Sequence, residues 1–325
     1  MPRGPALVAL IAFSLLGACA ETPTTVLPPD ALRSAVVVGT YHGELATIPI
    51  GGTEVAFVGS LGHEQPLGPI LVSPDGSRVY VGCCGGVVVL NAETGTVVDT
   101  LMLPVAGNMA LSPDGNLLYL AVGFDNQAVA RLVVASTATG EIVDSVLFRL
   151  REPREVGVGP DGTVYLAFNG LGIVVVPDGS LGPLDTVPPA DVAGPFGFSA
   201  DGELLYAAGY GLVVIETATM AIVDTILPGV FSQGFALDPV RNRGYVRGAS
   251  GLHVVDLADG SVIATVGDVE GAGLVGSIAV SPDGAFVYAT AGDAVQLVSA
   301  STNAVTARIP FTGRLADPVW IVINP

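Results

Sequence analysis

"SPDGSRVYVGCC", residues 73–84, carries the motif that decides the architecture. Its first four residues return along the chain as SPDG at 73, SPDG at 112, GPDG at 159, SADG at 199, DPVRN at 238 and SPDG at 281. A short apolar stretch precedes each turn. A tyrosine follows six or seven residues after the first turn position, at Tyr80, Tyr119, Tyr165, Tyr206, Tyr245 and Tyr288. Proline presets φ for the first central position of a type I turn, aspartate suits the second, and glycine takes the left-handed conformation that closes a bulged hairpin. Ala200 can stand in the proline position, and Asn242 can adopt left-handed backbone where the glycine is lost. The motif is therefore a hinge between two antiparallel strands, and not a binding loop.

The turns recur with a period of about 40 residues, the length of a four-stranded propeller blade. Within one repeat RVYVG reads as the second strand, GVVVLN as the third, ETG as a tight turn and TVVDTLMLP as the fourth. Sheets stacked face to face bury both faces, which fits strands that are apolar at successive positions. The innermost strands crowd a shared axis, giving a steric reason for Ala110, Gly157, Gly197, Ala236 and Ala279. Six turns give six complete repeats, while residues 35–61 supply three further strands with no first strand before them. The missing strand lies at the other end, where PVWIVINP, residues 318–325, aligns with GPILVSP. The expected fold is all-β: a seven-bladed β-propeller of four-stranded blades over residues 35–325, closed by pairing the C-terminal strand with the N-terminal blade.

These repeats resemble those of the YVTN-type β-propeller proteins, which couple an S-P-D-G turn to a tyrosine-led second strand and a V-I-D-T style third strand. The resemblance covers nearly all of residues 35–325. No literal YVTN occurs; YVGC, YLAV, YLAF, YAAG, YVRG and YATA stand in its place. A WD40 repeat is disfavoured, because the single tryptophan, Trp320, is not followed by aspartate.

Half of the 325 residues are apolar and 13% are charged, which gives ample material for a large core. The formal charge of -18 repels phosphate backbones, so nucleic acid is not an expected partner. All basic residues are arginine, which excludes a P-loop lysine and any lysine Schiff base. There is no G-x-S-x-G elbow, H-E-x-x-H or C-x-x-C-H, and no cofactor is implied.

At the N-terminus, Arg3 precedes an apolar run from Ala6 to Leu16, the length of a secretory h-region and too short to span a bilayer. The next residues, Leu16-Gly17-Ala18-Cys19, resemble the lipobox of bacterial lipoproteins, which implies a signal peptide over residues 1–18 and a lipid on Cys19. Cleavage after Ala20 is the alternative. Alanine at position 20, by resemblance to lipoproteins of diderm bacteria, implies the outer membrane, with the domain on its periplasmic or surface face. Membrane contact is then through the lipid alone. Residues 19–34, with Pro23, Pro28 and Pro29, read as a solvated, flexible tether.

The S-P-D-G turns occupy one rim, so the connections between second and third strands, and those leading into each next blade, occupy the other. Ligand sites on propellers usually gather on this second rim, the mouth, around the axis. Aligned starts of the inner strands place Trp320, Asn108, Arg154 with Glu155, Gln233 and Ser277 there. Trp320 could stack on a ring or pack at the closure seam. Residues 148–155, FRLREPRE, could present arginines to an anion or form a solvated loop. His42, His63 and Glu64 belong to the same rim, but their spacing matches no metal motif and no metal is assigned. Cys83 and Cys84 would be the two thiols left in an oxidising compartment. A vicinal disulfide between them is expected to be strained, since neighbouring Cα atoms lie about 3.8 Å apart.

The leading expectation is a binding module at the cell envelope, presenting one rim to a protein, peptide or glycan. The second is a hydrolase or lyase similar to the seven-bladed lactonases, acting on a small ester or lactone through groups such as His63, Glu64 and Arg154.

Overall fold

A computed structural model describes residues 27–62, 66–83, 85–103, 108–123, 130–148, 153–168, 172–177, 185–187, 192–232, 234–238, 240–267, 277–315 and 318–324. Seven antiparallel sheets are arranged in a ring. Their innermost strands, Pro318–Asn324, Ile70–Val72, Met109–Leu111, Glu155–Val158, Val192–Phe198, Gly234–Asp238 and Ile278–Val280, each touch the next, and the last touches the first. The chain is a seven-bladed β-propeller.

Blade 1 closes as the repeat count requires. Pro318–Asn324 pairs with Ala35–Thr40 in the order Ala35↔Asn324 to Gly39↔Trp320, with one irregularity between Gly39 and Thr40. Glu44–Pro49 and Phe57–Ser60 complete that sheet. Asn324 takes the place that serine holds in four of the other turns and is fully buried. Its Nδ2 donates to the carbonyls of Leu32 (2.8 Å) and Gly76 (3.1 Å), tying the end of the chain to its start and to blade 2.

The turn works as its residue types dictate. In blade 2, Ser73 Oγ donates to Asp75 Oδ1 (2.6 Å) and accepts from Arg78 N–H (2.9 Å), while Asp75 Oδ1 also accepts from Ser77 N–H (3.0 Å). Ser112, Ser199 and Ser281 repeat both bonds with Asp114, Asp201 and Asp283. These hydroxyl and amide donors favour the ionised carboxylate. They hold Asp75 down at about 2 and lower Asp114, Asp201 and Asp283 as well. In blade 6 Asp238 replaces the serine, accepts from Val240 and Arg241 N–H, and pairs with the Arg241 guanidinium at 3.2 Å. Asn242 has φ +51°, the left-handed backbone expected where glycine is absent.

Blade 5 departs from the four-strand pattern in one respect. Its second and third strands run together as Leu204–Glu216 between Val192–Phe198 and Ala221–Phe231. Thr217 N–H bonds to the Glu203 carbonyl (2.9 Å), the contact that Ala92 and Ser77 make in blade 2, so the segment doubles back at Tyr210 and Gly211. Gly211 is required there: φ is +114°, and a Cβ would lie 3.0 Å from the Ile226 carbonyl oxygen. The small inner-strand residues have the expected cause. A Cβ on Gly157 would meet Phe196 at 2.8 Å, and one on Gly197 would meet Leu237 at 2.6 Å.

Residues 27–34, expected to belong to the flexible tether, are packed instead. Leu27 and Leu32 are fully buried and Ala31 nearly so, in the apolar cluster between blades 1 and 2. Leu27 N–H bonds to the Gly95 carbonyl and Asp30 N–H to that of Glu93. Two leucines at this spacing bury enough apolar surface to outweigh the entropy of ordering a short segment. Residues 19–26, including Cys19, lie outside the described residues, as does the signal peptide expected over residues 1–18.

Candidate functional site

Strand register places seven residues at one level of the mouth, one for each inner strand: Trp320, Pro69, Asn108, Glu155, Pro195, Gly234 and Ser277. Four of these are residues the sequence singled out. Polar atoms of Ser277, Trp320 and Asn108 link neighbouring blades at three seams. Ser277 Oγ accepts from Ile321 N–H at 3.0 Å, joining blade 7 to blade 1. The Trp320 indole N–H donates to the Leu67 carbonyl at 3.2 Å, joining blade 1 to blade 2. Asn108 Nδ2 donates to the Arg154 carbonyl (3.0 Å) and to Glu155 Oε2 (2.7 Å), joining blade 3 to blade 4. Each bond satisfies a polar group that the crowded axis would otherwise leave unpaired.

Glu155 is distinct within this set. Some of its surface is accessible, yet its carboxyl group is surrounded by protein. Desolvation pushes its pKa up to about 8, against the opposing donation from Val156 N–H and the Asn108 amide. At neutral pH it is a carboxylic acid that can donate a proton. Arg154 beside it is exposed.

The remaining expected residues fall as follows. The Trp320 ring is partly buried on the cluster that contains Leu67, Ile70 and Cys83, with part of its surface still open. His42 is exposed and meets the edge of Tyr41 with ring centres 5.9 Å apart. Cys83 ends the strand Arg78–Cys83 and is buried. Cys84, His63, Glu64, Gln233 and the RLRE part of residues 148–155, from Arg149 to Glu152, lie outside the described residues, so the proposed disulfide and the His63–Glu64 pair do too. Among the described residues, no group of three or more His, Cys, Asp or Glu is placed to hold a metal. His253 is packed, between Ser250 Oγ (3.1 Å) and Thr265 Oγ1 (3.0 Å).

Two features of the mouth escaped sequence reasoning. The first is Arg247, on the second strand of blade 6, opposite Gly234 and only 2% exposed. Its Nη1 donates to Thr290 Oγ1 of blade 7 at 3.2 Å, and burial lowers its pKa. The same position is Gly82, Ala121, Ala167 or Ala208 in blades 2 to 5, so an arginine among small residues was a signal available in the aligned repeats. The second is an aromatic ledge on the mouth rim of blade 5. Tyr210 and Phe231 are both exposed, with ring centres 5.1 Å apart and planes tilted by 50°. Exposed Pro228 belongs to the same connection, whose Val230 reaches over Gly248 of blade 6. The glycines flanking Tyr210 and the long LPGVF segment marked this rim as unusual.

No protein-family model and no curated protein matches the chain. Solved structures do. A functionally unknown protein from Desulfotomaculum acetoxidans aligns with a TM-score of 0.69 at 14% identity, over 90% of this chain and 98% of that one. Dihydro-heme d1 dehydrogenase NirN, solved in complex with DHE, aligns with a TM-score of 0.62 at 18% identity over 88% of this chain. The match spans 65% of the NirN chain, less than two thirds of its length. Kuenenia stuttgartiensis hydrazine synthase gives a TM-score of 0.62 at 18% identity, over 74% of this chain and 85% of that one. At such identities the likeness is one of fold. The propeller is shared; the chemistry is not thereby given.

Proposed function

We propose that the protein is a propeller-type binding module of the YVTN-like kind, anchored at the cell envelope by a lipid on Cys19, whose mouth rim engages a protein, peptide or glycan. The observation that carries this reading is the Tyr210–Phe231 pair. Two large exposed rings on a rigid sheet connection form a stacking surface for a sugar ring or an extended peptide, and such groups are costly to leave in water without a partner. The polar groups at the axis support it from the other side, because Asn108, Ser277 and the Trp320 N–H are committed to bonds between blades.

Capture from envelope extract with the mature domain, run beside the double variant Tyr210→Ala/Phe231→Ala, tests the proposal. A bound species recovered by the wild-type domain and lost by the folded variant is expected. Equal recovery by both overturns the assignment of the ledge.

A second reading rests on Glu155. A carboxyl group that keeps its proton near neutrality, at the mouth and beside Arg154, has the character of a general acid, as a hydrolase or lyase acting on a small ester or lactone needs. Turnover in a lactone and ester screen, abolished by Glu155→Gln, would establish this reading in place of the first.

A further inference from the structure

The packed N-terminal segment fixes where the chain leaves the propeller. Gly95, whose carbonyl accepts from Leu27 N–H, sits in the turn between third and fourth strands of blade 2, on the same rim as the S-P-D-G turns. Leu32, held through its carbonyl by Asn324 Nδ2, sits where the closing strand ends on that rim. From Leu27 to Ala35 the chain lies across this rim, with Leu27 and Leu32 fully buried. It does not return toward the mouth.

We infer that the lipid-anchored protein stands with its S-P-D-G rim toward the bilayer and its mouth rim turned away. The inference rests on the lipid reading of Cys19 in the proposed function. Seven residues lie between Cys19 and Leu27, eight steps from Cα to Cα, a span of at most about 28 Å when fully extended and of about 16 Å when relaxed. Pointing the mouth at the bilayer would require this tether to climb the outer wall. The wall is about 20 Å of strand, taking six or seven residues at about 3.3 Å each, before the turns of both rims are added. The relaxed tether falls short of that height, and the extended one has little slack.

Lying on edge is disfavoured by charge. The exposed apolar residues of the outer strands, Val98, the pair Ile142-Val143 and the pair Ile222-Val223, are each followed by an exposed aspartate, Asp99, Asp144 and Asp224. Pressing these residues into a bilayer would carry carboxylates into it. In the inferred orientation the Tyr210–Phe231 ledge and the Glu155 mouth face the compartment, where a soluble partner or small molecule reaches them.

Trp320, the one tryptophan of the chain, stands at the mouth level and serves as a native reporter. The full lipidated chain is reconstituted in phosphatidylethanolamine and phosphatidylglycerol vesicles that carry a dansyl lipid, and energy transfer from tryptophan is measured. A second tryptophan goes on the opposite rim as Ala138→Trp, an exposed turn position, both with Trp320 kept and with Trp320→Phe. Transfer at least twofold more efficient from position 138 than from Trp320 is expected. If Trp320→Phe fails to fold, the rise in transfer on adding Ala138→Trp to the native chain gives the same comparison. Equal transfer from the two rims, or stronger transfer from Trp320, overturns the orientation. Flotation with vesicles, lost in Cys19→Ala, reads the anchor separately. A chain that does not float defeats the lipid reading and this inference together, whereas one that floats with Trp320 the nearer group defeats the orientation alone.

Discussion

Glu155 keeps its proton at a pH where a free glutamate has lost it, because its neighbours remove water from the carboxyl without supplying a cation. The sign of the resulting pH dependence follows. A carboxyl whose pKa is raised from 4.5 to about 8 stabilises the fold fully below 4.5, and that contribution is lost as pH rises through about 8. One pK unit corresponds to about 1.4 kcal/mol, and water at the mouth reduces the sum to about 3 kcal/mol. Glu155→Gln, which keeps an acceptor for Asn108, should remove this dependence. Thermal unfolding from pH 5 to pH 9 should show the wild type losing about 5 °C more than the variant; equal slopes would contradict the assignment. The position of Glu155 at the mouth was legible in the aligned repeats, but its protonation was not, since that depends on how completely the folded ring desolvates its carboxyl. Arg247 was missed for a related reason: the arginine was visible in YVRG, while its burial needs blade 7 against blade 6.

At the scale of the element, the turns were the most legible part of the chain. Ser, Pro, Asp and Gly each meet a local requirement within a few residues, so no distant contact can override them, and serine and aspartate bond as their chemistry directs. Blade 5 was less legible. Its tight reversal at Gly211 shortens the connection between second and third strands, and the glycine alone did not disclose that a carbonyl from Ile226 crowds it. Gly211→Ala should cost about 2 kcal/mol or more, from left-handed backbone plus that contact. Gly292→Ala, at φ +58° with nothing within 4 Å, should cost about 1 kcal/mol from backbone alone. Urea unfolding midpoints at constant slope measure both, and equal costs would contradict the crowded reversal. The outer strands carry a further device. Val98, Val143, Val223 and Ile263 are extra residues at register shifts in blades 2, 3, 5 and 6, and such bulges twist an edge away from pairing with another chain.

For the whole molecule, blade number and closure were legible because six turns leave three unmatched strands at one end and one at the other. The extent of the packed N-terminal segment was not. Its prolines and polar residues have the composition of a tether, and only the cleft between blades 1 and 2 gives Leu27 and Leu32 somewhere to bury. The ligand was not legible either, since the mouth draws its residues from every blade and the repeat pattern records what the blades share. All rim assignments, and the orientation inferred from them, depend on the closing strand. Native-state hydrogen exchange of residues 318–324 tests that pairing most directly. If the ring is sealed by Pro318–Asn324 on Ala35–Thr40, amides on both strands exchange only through global unfolding, as slowly as those of the central strands of blades 2 and 7. Exchange of the 318–324 amides at the rate of an unstructured peptide, with the other blades protected, would contradict the closed ring.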